Sequence, residues 1–312
     1  MLPTAEALAG FEPTERLAAN ARPTGAWRDE LRRIPNLRNA GNLAFLYAQT
    51  IGIVVAAVWI NNPVVWIAAF VLMGRAHAQY AALMHEAAHR MLFRNRRVND
   101  WVGGWLVGFP AFTPIDLYRR GHMAQHRDEF GPDEPDIPLY RGYPIERASL
   151  RRKLTRDATG RTGFKLFKGL LRGVNSSEAS IRSQARKIVA VQLLLIAIGI
   201  ALHHPWVYFI LWLAPYLTVW RVINRLRSIA EHGGMQRSKD RRLTTHSVQQ
   251  SALARFFLVP YHIGWHLAHH VDSGVPMANL PKLHAELVRA GYVNGAIEYP
   301  SYLALWSKLS GR

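Results

Sequence analysis

Residues 64–89 read VVWIAAFVLMGRAHAQYAALMHEAAH, and the rest of the chain is best understood outward from them. Val64 to Leu83 carries a single charge, Arg75, over a length close to the ~20 residues a helix needs to cross a bilayer. It runs straight into His85-Glu86-Ala87-Ala88-His89. Histidines four apart on a helix leave the same face about 6 Å apart along the axis, a spacing that suits one metal ion. An apolar helix thus delivers two imidazoles to its own end.

Upstream, Leu43 to Ile60 is a second apolar run, and Asn61-Asn62-Pro63 is an uncharged turn between the two. The pair predicts a helical hairpin. Downstream, Ile188 to Ala201 and Trp206 to Val222 predict another, turning at His203-His204-Pro205. Trp101 to Ile115 is apolar but short and broken by Gly103, Gly104, Gly108 and Pro110, which favours an interfacial or re-entrant segment over a span. Two further helices read as membrane-surface elements. One follows Thr24 and places Trp27, Leu31 and Ile34 together, with packing on the main body as the alternative. The other places Phe164, Phe167, Leu170 and Leu171 on one face among Lys165, Lys168 and Arg172.

The expected fold is an all-α membrane protein: four transmembrane helices in two hairpins (about 43–60, 64–83, 188–201 and 206–222) under a cytosolic helical cap. Residues 1–41 form an N-terminal cytosolic or interfacial segment, 42–285 the main domain and 286–312 a C-terminal cytosolic tail. The formal net charge is +18, which alone would suggest nucleic acid. Its distribution argues otherwise, because Ile188 to Trp220 contains no charge at all and Leu43 to Leu83 only Arg75. Basic residues kept away from long apolar runs follow the positive-inside pattern. Both termini are therefore expected in the cytoplasm, with the basic excess facing anionic lipid. The polar first forty residues show no signal-peptide pattern. Cysteine is absent, which excludes disulfides, thiolate metal sites and an on-chain rubredoxin or ferredoxin centre.

Of the fourteen histidines, eight gather in few places. His85 and His89 end the second span. His122 and His126 lie in Gly-His-Met-Ala-Gln-His, and His232 in Ala-Glu-His-Gly-Gly. His266, His269 and His270 close Trp-His-Leu-Ala-His-His. By the topology above, all face the cytosol close to the membrane. Eight imidazoles exceed the needs of one four-coordinate zinc and suit two metals with open positions. His-Glu-x-x-His alone also matches a zinc peptidase, with Glu86 as general base. That alternative leaves six histidines without a role.

In these motifs the chain resembles the membrane fatty acid desaturase superfamily, whose members carry three histidine boxes and an additional histidine on a four-helix transmembrane scaffold. The resemblance runs over roughly residues 40–285. It includes Leu92-Phe93-Arg94-Asn95-Arg96-Arg97-Val98-Asn99-Asp100, Pro135-Asp136 and Asn279-Leu280-Pro281-Lys282-Leu283-His284. It implies a bacterial inner-membrane enzyme in which two irons activate O2 to desaturate, or alternatively hydroxylate, an unactivated C–H site of a fatty acyl or other lipid-like substrate. The implied iron ligands are His85, His89, His122, His126, His232, His266, His269 and His270. Two positions depart from the family. Gln125 stands where the second box usually has a histidine, and Ser228 where the acyl-CoA branch has asparagine four residues before the additional histidine.

Glu86, Asp128, Asp136, Glu231 and Asp272 could orient the ligating rings, and Gln125 could act as a weak or water-mediated ligand. Arg75 lies inside the second span, about 15 Å along the helix from His85. It is a candidate counter-ion for a polar substrate group, with snorkelling to the interface as the alternative. Two electrons per turnover must come from an external carrier of the ferredoxin, rubredoxin or cytochrome b5 type. No nucleic-acid partner is expected.

Overall fold

The computed structural model describes residues 1–132 and 134–311. These are mostly helical, with a two-residue parallel pairing of Ser247–Val248 and Glu298–Tyr299. The chain forms two compact units interleaved along the sequence. The first comprises 1–35, 120–151 and 225–312, and the second 36–119 and 152–224.

The second unit is built on the hairpin of Asn36–Ile60 and Pro63–Ala88. The turn follows from local chemistry. Asn61 takes a positive φ, the Asn62 side chain accepts from the Val64 N–H at 2.8 Å, and Pro63 starts the next helix, where its missing N–H costs nothing. Side chains around the turn are apolar yet exposed: Trp59 is 86% and Ile67 67% accessible. Hydrocarbon is the solvent that such a surface fits. From Met73 onward the same helix is almost entirely buried. Its end is capped by Arg119, which donates to the Ala87 and Ala88 carbonyls at 3.1 and 2.9 Å. Asn99 also donates to Ala87 O, at 2.9 Å. A cation at a helix C-terminus satisfies orphan carbonyls and opposes the dipole. The caps hold the turn on which His85 and His89 sit.

The broken apolar segment after this turn is helical at Arg96–Val102 and π-helical at Gly103–Gly108. Glycine is required at 103, where a Cβ would come within 2.5 Å of the Ala87 Cβ. Ala179–Ala201 is followed by the stretch from Pro205, which relaxes into a π-helical turn at Phe209–Leu213 just before Pro215. Buried Gln192 donates to the Phe109 and Pro110 carbonyls and accepts from the Tyr208 hydroxyl. The helix Arg161–Gly173 presents exposed Phe164, Leu166 and Leu171, while Phe167 packs edge-on against Phe112.

By length and composition, three stretches among the described residues can cross a membrane: within Gly25–Ile60, at Ala179–Ala201 and within Pro205–His232. Pro63–Ala88 has the length but carries Arg75, His77, Gln79, His85 and Glu86 from its midpoint onward, and falls outside that set.

In the first unit the N-terminal segment is tied to the C-terminal third. Arg32 pairs with buried Asp272 through two bonds of 3.1 and 2.5 Å. Arg22 donates to Val271 O and Asn279 to Leu31 O. The short helix Gly25–Leu31 begins at Thr24, whose hydroxyl donates to Glu15 O instead of capping. Leu31 is buried, so this helix packs on the body of its unit.

Candidate metal centre

Six of the eight expected histidines belong to the first unit, and they form two triads. In one, His126 Nε2 lies 3.1 Å from His122 Nε2 and 3.0 Å from His269 Nε2. In the other, His266 Nε2 lies 3.2 Å from His232 Nε2 and 3.0 Å from His270 Nε2. The triads adjoin, with the His126 and His270 rings 4.5 Å apart. Consecutive His269 and His270 stand 87° to one another, so one reaches each triad.

The Nδ1 atoms explain why the Nε2 atoms can face each other. His232 donates from Nδ1 to the Thr244 carbonyl at 2.9 Å. Gln125 Oε1 accepts from His122 Nδ1 at 3.1 Å. Glu129 holds His270 Nδ1 in a short contact. A neutral imidazole with its proton on Nδ1 has a bare lone pair on Nε2. The three rings so held turn bare Nε2 lone pairs toward the Nε2 atoms of neighbouring rings at 3.0–3.2 Å, an arrangement that a cation among them would stabilise. That separation is the one between neighbouring donors each about 2.1 Å from a common ion. Burial, and after it the neighbouring His270, holds His266 and His269 well below the usual imidazole range, so both stay neutral and able to ligate. The donor set suits iron, zinc or copper.

Glu129 is the residue that sequence reasoning missed. It is 2% exposed and also accepts from Arg241 at 2.5 Å. Burial alone would push its carboxyl up, but His270 and Arg241 beside it bring it down to about 2. His126, Glu129 and His270 also lie within metal-holding distance of one another. Because Glu129 meets His270 at Nδ1, on the side away from the triad, it is placed to orient that ring. No local signal marked it: the helix of His126 ends at Arg127, and Glu129 lies in the turn beyond. Asp128, chosen from sequence, instead makes a two-bond fork with Arg237 at 2.8 and 2.7 Å.

Gln125 spends its oxygen on His122 and turns its amide nitrogen toward His232 Nε2 at 3.3 Å. Glu231 pairs with Arg227 at 2.8 Å and stands 3.7 Å from His266 Nδ1, beyond hydrogen-bond range. Asp136 is half-buried and its carboxyl is raised by burial, partly offset by Arg227. Asp272 is committed to Arg32.

In the second unit, the His85 and His89 rings lie with centroids 4.7 Å apart, tilted by 51°, at the capped helix end, and Glu86 between them is buried. Arg75 is 8% exposed. It donates to Gln49 Oε1 and Gln79 Oε1, both at 2.7 Å, so it does not snorkel.

Comparison with known proteins agrees with this inventory. The chain is 27% identical over 231 residues to dihydrorhizobitoxine desaturase of Bradyrhizobium elkanii, covering 69% of this chain and 65% of that protein. It is 35% identical over 86 residues to sn-1 oleoyl-lipid 12-desaturase of Arthrospira platensis, covering 28% and 23%. It therefore spans less than two thirds of the length of either relative. A family model for fatty acid desaturases matches residues 60–302, a stretch that contains all eight histidines, and the chain belongs to the fatty acid desaturase family.

Proposed function

We propose that this chain is a membrane-bound di-iron oxygenase that uses O2 and two electrons to desaturate an unactivated C–H site of a fatty acyl or other lipid-like substrate. Hydroxylation of the same site is the second outcome of the same initial hydrogen abstraction. The observation that carries this reading is the pair of adjoining triads with converging Nε2 atoms. His122, His126 and His269 would hold one iron and His232, His266 and His270 the other. His85 and His89 complete the proposed set of eight. Two irons there would activate O2 as the oxidant that cleaves an aliphatic C–H bond, chemistry that no side chain possesses.

The remaining roles fall to the chain itself. Glu129, Thr244 and Gln125 fix tautomer and ring orientation, and burial keeps bulk water from the centre. We assign Arg75 as a counter-ion for a carboxylate or other polar group of the substrate; its burial within the second apolar helix supports this. Ser228 speaks against an acyl-CoA substrate. The proposed topology has four spans, with Val64–Leu83 as the fourth beside the three apolar stretches. It places both termini and the irons on the cytoplasmic side of a bacterial inner membrane, an orientation supported by the positive-inside distribution. A zinc peptidase using His85, Glu86 and His89 would leave both triads idle.

The test is turnover. Purified protein loaded with Fe(II), given O2, a chemical reductant and extracted lipid, should yield a product short of two hydrogens by mass spectrometry, or one gaining an oxygen atom if hydroxylation wins. His266→Ala should abolish either product. Product formation by that variant would refute the iron assignment.

A further inference from the structure

The proposed reaction draws electrons from outside the chain, and the structure has a specific place for them to enter. Beside the triads, wholly within the first unit, lies a cavity of about 400 Å³. Five cations line it: Arg22, Arg127, Arg237, Lys239 and Arg241. Its two carboxylates are already engaged. Asp128 is forked by Arg237, and Glu129 sits on Arg241 and His270. Arg22, Arg127, Arg237 and Lys239 reach the surface, and neither Arg127 nor Lys239 has an ion pair among the described residues.

We propose that this cavity is the docking port for an acidic one-electron carrier protein. The proposal rests on the di-iron reading above. Two observations single out this patch on a chain that is basic nearly everywhere. The first is charge: the rim is cationic and solvent-facing, so an acidic surface is both steered to it and oriented by it. The second is connection. Arg241 spans the cavity floor and the metal centre, donating to Glu129 at 2.5 Å and to the His126 carbonyl at 3.1 Å. Glu129 in turn holds His270. A carrier seated on the rim is therefore separated from a ligand of either triad by one or two hydrogen-bonded residues.

The electron count sets how the port is used. Desaturation removes two hydrogen atoms from the substrate, as two protons and two electrons. Two carrier molecules, docking in turn, each lose one electron and leave oxidised. With two protons from water, the four electrons reduce O2 to two waters, and the substrate gains one C=C bond.

The test compares two sources of electrons on the iron-loaded, full-length protein. One is reduced methyl viologen, a small cation that needs no docking. The others are reduced carrier proteins: plant-type [2Fe–2S] ferredoxin, rubredoxin and cytochrome b5. In Arg127→Glu/Lys239→Glu, the KM for the productive carrier should rise about tenfold or more and its salt dependence should flatten. Methyl viologen turnover should stay within about twofold, which also shows that the variant is folded. Arg255→Glu/Lys308→Glu changes the same net charge at exposed positions outside the cavity and should leave the carrier KM unmoved.

The proposal is overturned if the cavity variant leaves the carrier KM unchanged, or if both double variants raise it alike. It is also overturned if methyl viologen drives turnover while none of the three carriers gives saturable kinetics. Absence of turnover even with methyl viologen would refute the di-iron reading itself, and the port with it.

Discussion

Replacing Glu129 should weaken one metal site and spare the other. Its carboxylate is 2% exposed and accepts from both His270 Nδ1 and Arg241. Against the effect of burial, His270 and Arg241 hold it down at about 2, so at neutral pH it is a carboxylate. Losing a hydrogen-bond partner behind a ligating imidazole costs about 10–100-fold in metal affinity, or roughly 1.4–2.8 kcal/mol. Glu129→Gln keeps an acceptor for His270 and loses only charge, so about tenfold is expected. Glu129→Leu removes acceptor and charge together, leaves Arg241 without its carboxylate, and should approach a hundredfold. The assay is anaerobic Fe(II) titration of the apoprotein in detergent against a competing chelator, with circular dichroism to confirm the fold. One of two binding events should weaken, with the other moving by less than about threefold. Unchanged affinity at both sites in a folded Glu129→Leu protein would refute the orienting role, and so would equal loss at both.

Arg75→Gln should raise the substrate KM about tenfold or more with little change in kcat, as expected when a binding charge is removed away from the reacting carbon; unchanged steady-state kinetics would remove Arg75 from the substrate site. His246 is buried, donates to Gly233 O at 2.7 Å, and is lowered by burial to about 4. The unfolded chain therefore binds a proton below about 6.5 that the folded chain refuses. Stability should be complete above that pH and fall toward pH 4, by at most roughly 3 kcal/mol. Chemical denaturation at several pH values should show this fall, and His246→Gln should shrink it, leaving the share owed to His266 and His269. Gly163→Ala would drive a Cβ to 2.2 Å from the Leu217 carbonyl oxygen, backbone that cannot rotate aside. It should lose about 1–3 kcal/mol, read as a lower melting temperature. Gly169→Ala, with open space around it, should gain a few tenths to about 1 kcal/mol; equal behaviour of the two would contradict the packing described.

What could be read from the sequence was whatever local chemistry controls. The apolar runs marked the long helices, the Asn62-Pro63 pair marked the turn with its cap, and spacing within each box marked histidines that the structure gathers into clusters able to hold a metal. Partners chosen by tertiary packing were not readable. Glu129 and His270 are 141 positions apart, and nothing local distinguishes Glu129 from Asp128, whose side chain turns to Arg237. Thr244 acts through its carbonyl, which no side-chain pattern reveals. The helix after Thr24 had the profile of a membrane-surface element, because an apolar stripe beside arginines looks the same whether it meets lipid or protein. Its Leu31 lies buried, and Arg32 pairs with Asp272 instead of a phosphate. The stretch from Arg75 to Glu86 shows the opposite limit: its polar residues lower its hydropathy, yet Arg75, His77, Gln79, His85 and Glu86 are all buried, which composition does not record.

The most direct measurement is the metal content of protein purified after expression in iron- and zinc-replete medium, by inductively coupled plasma mass spectrometry with Mössbauer spectroscopy on iron-57. Two irons per chain, magnetically coupled in the oxidised state and falling to one or none in His266→Ala, is the predicted result. One zinc per chain, retained in His266→Ala and lost in His85→Ala, would contradict it and return the chain to the peptidase reading.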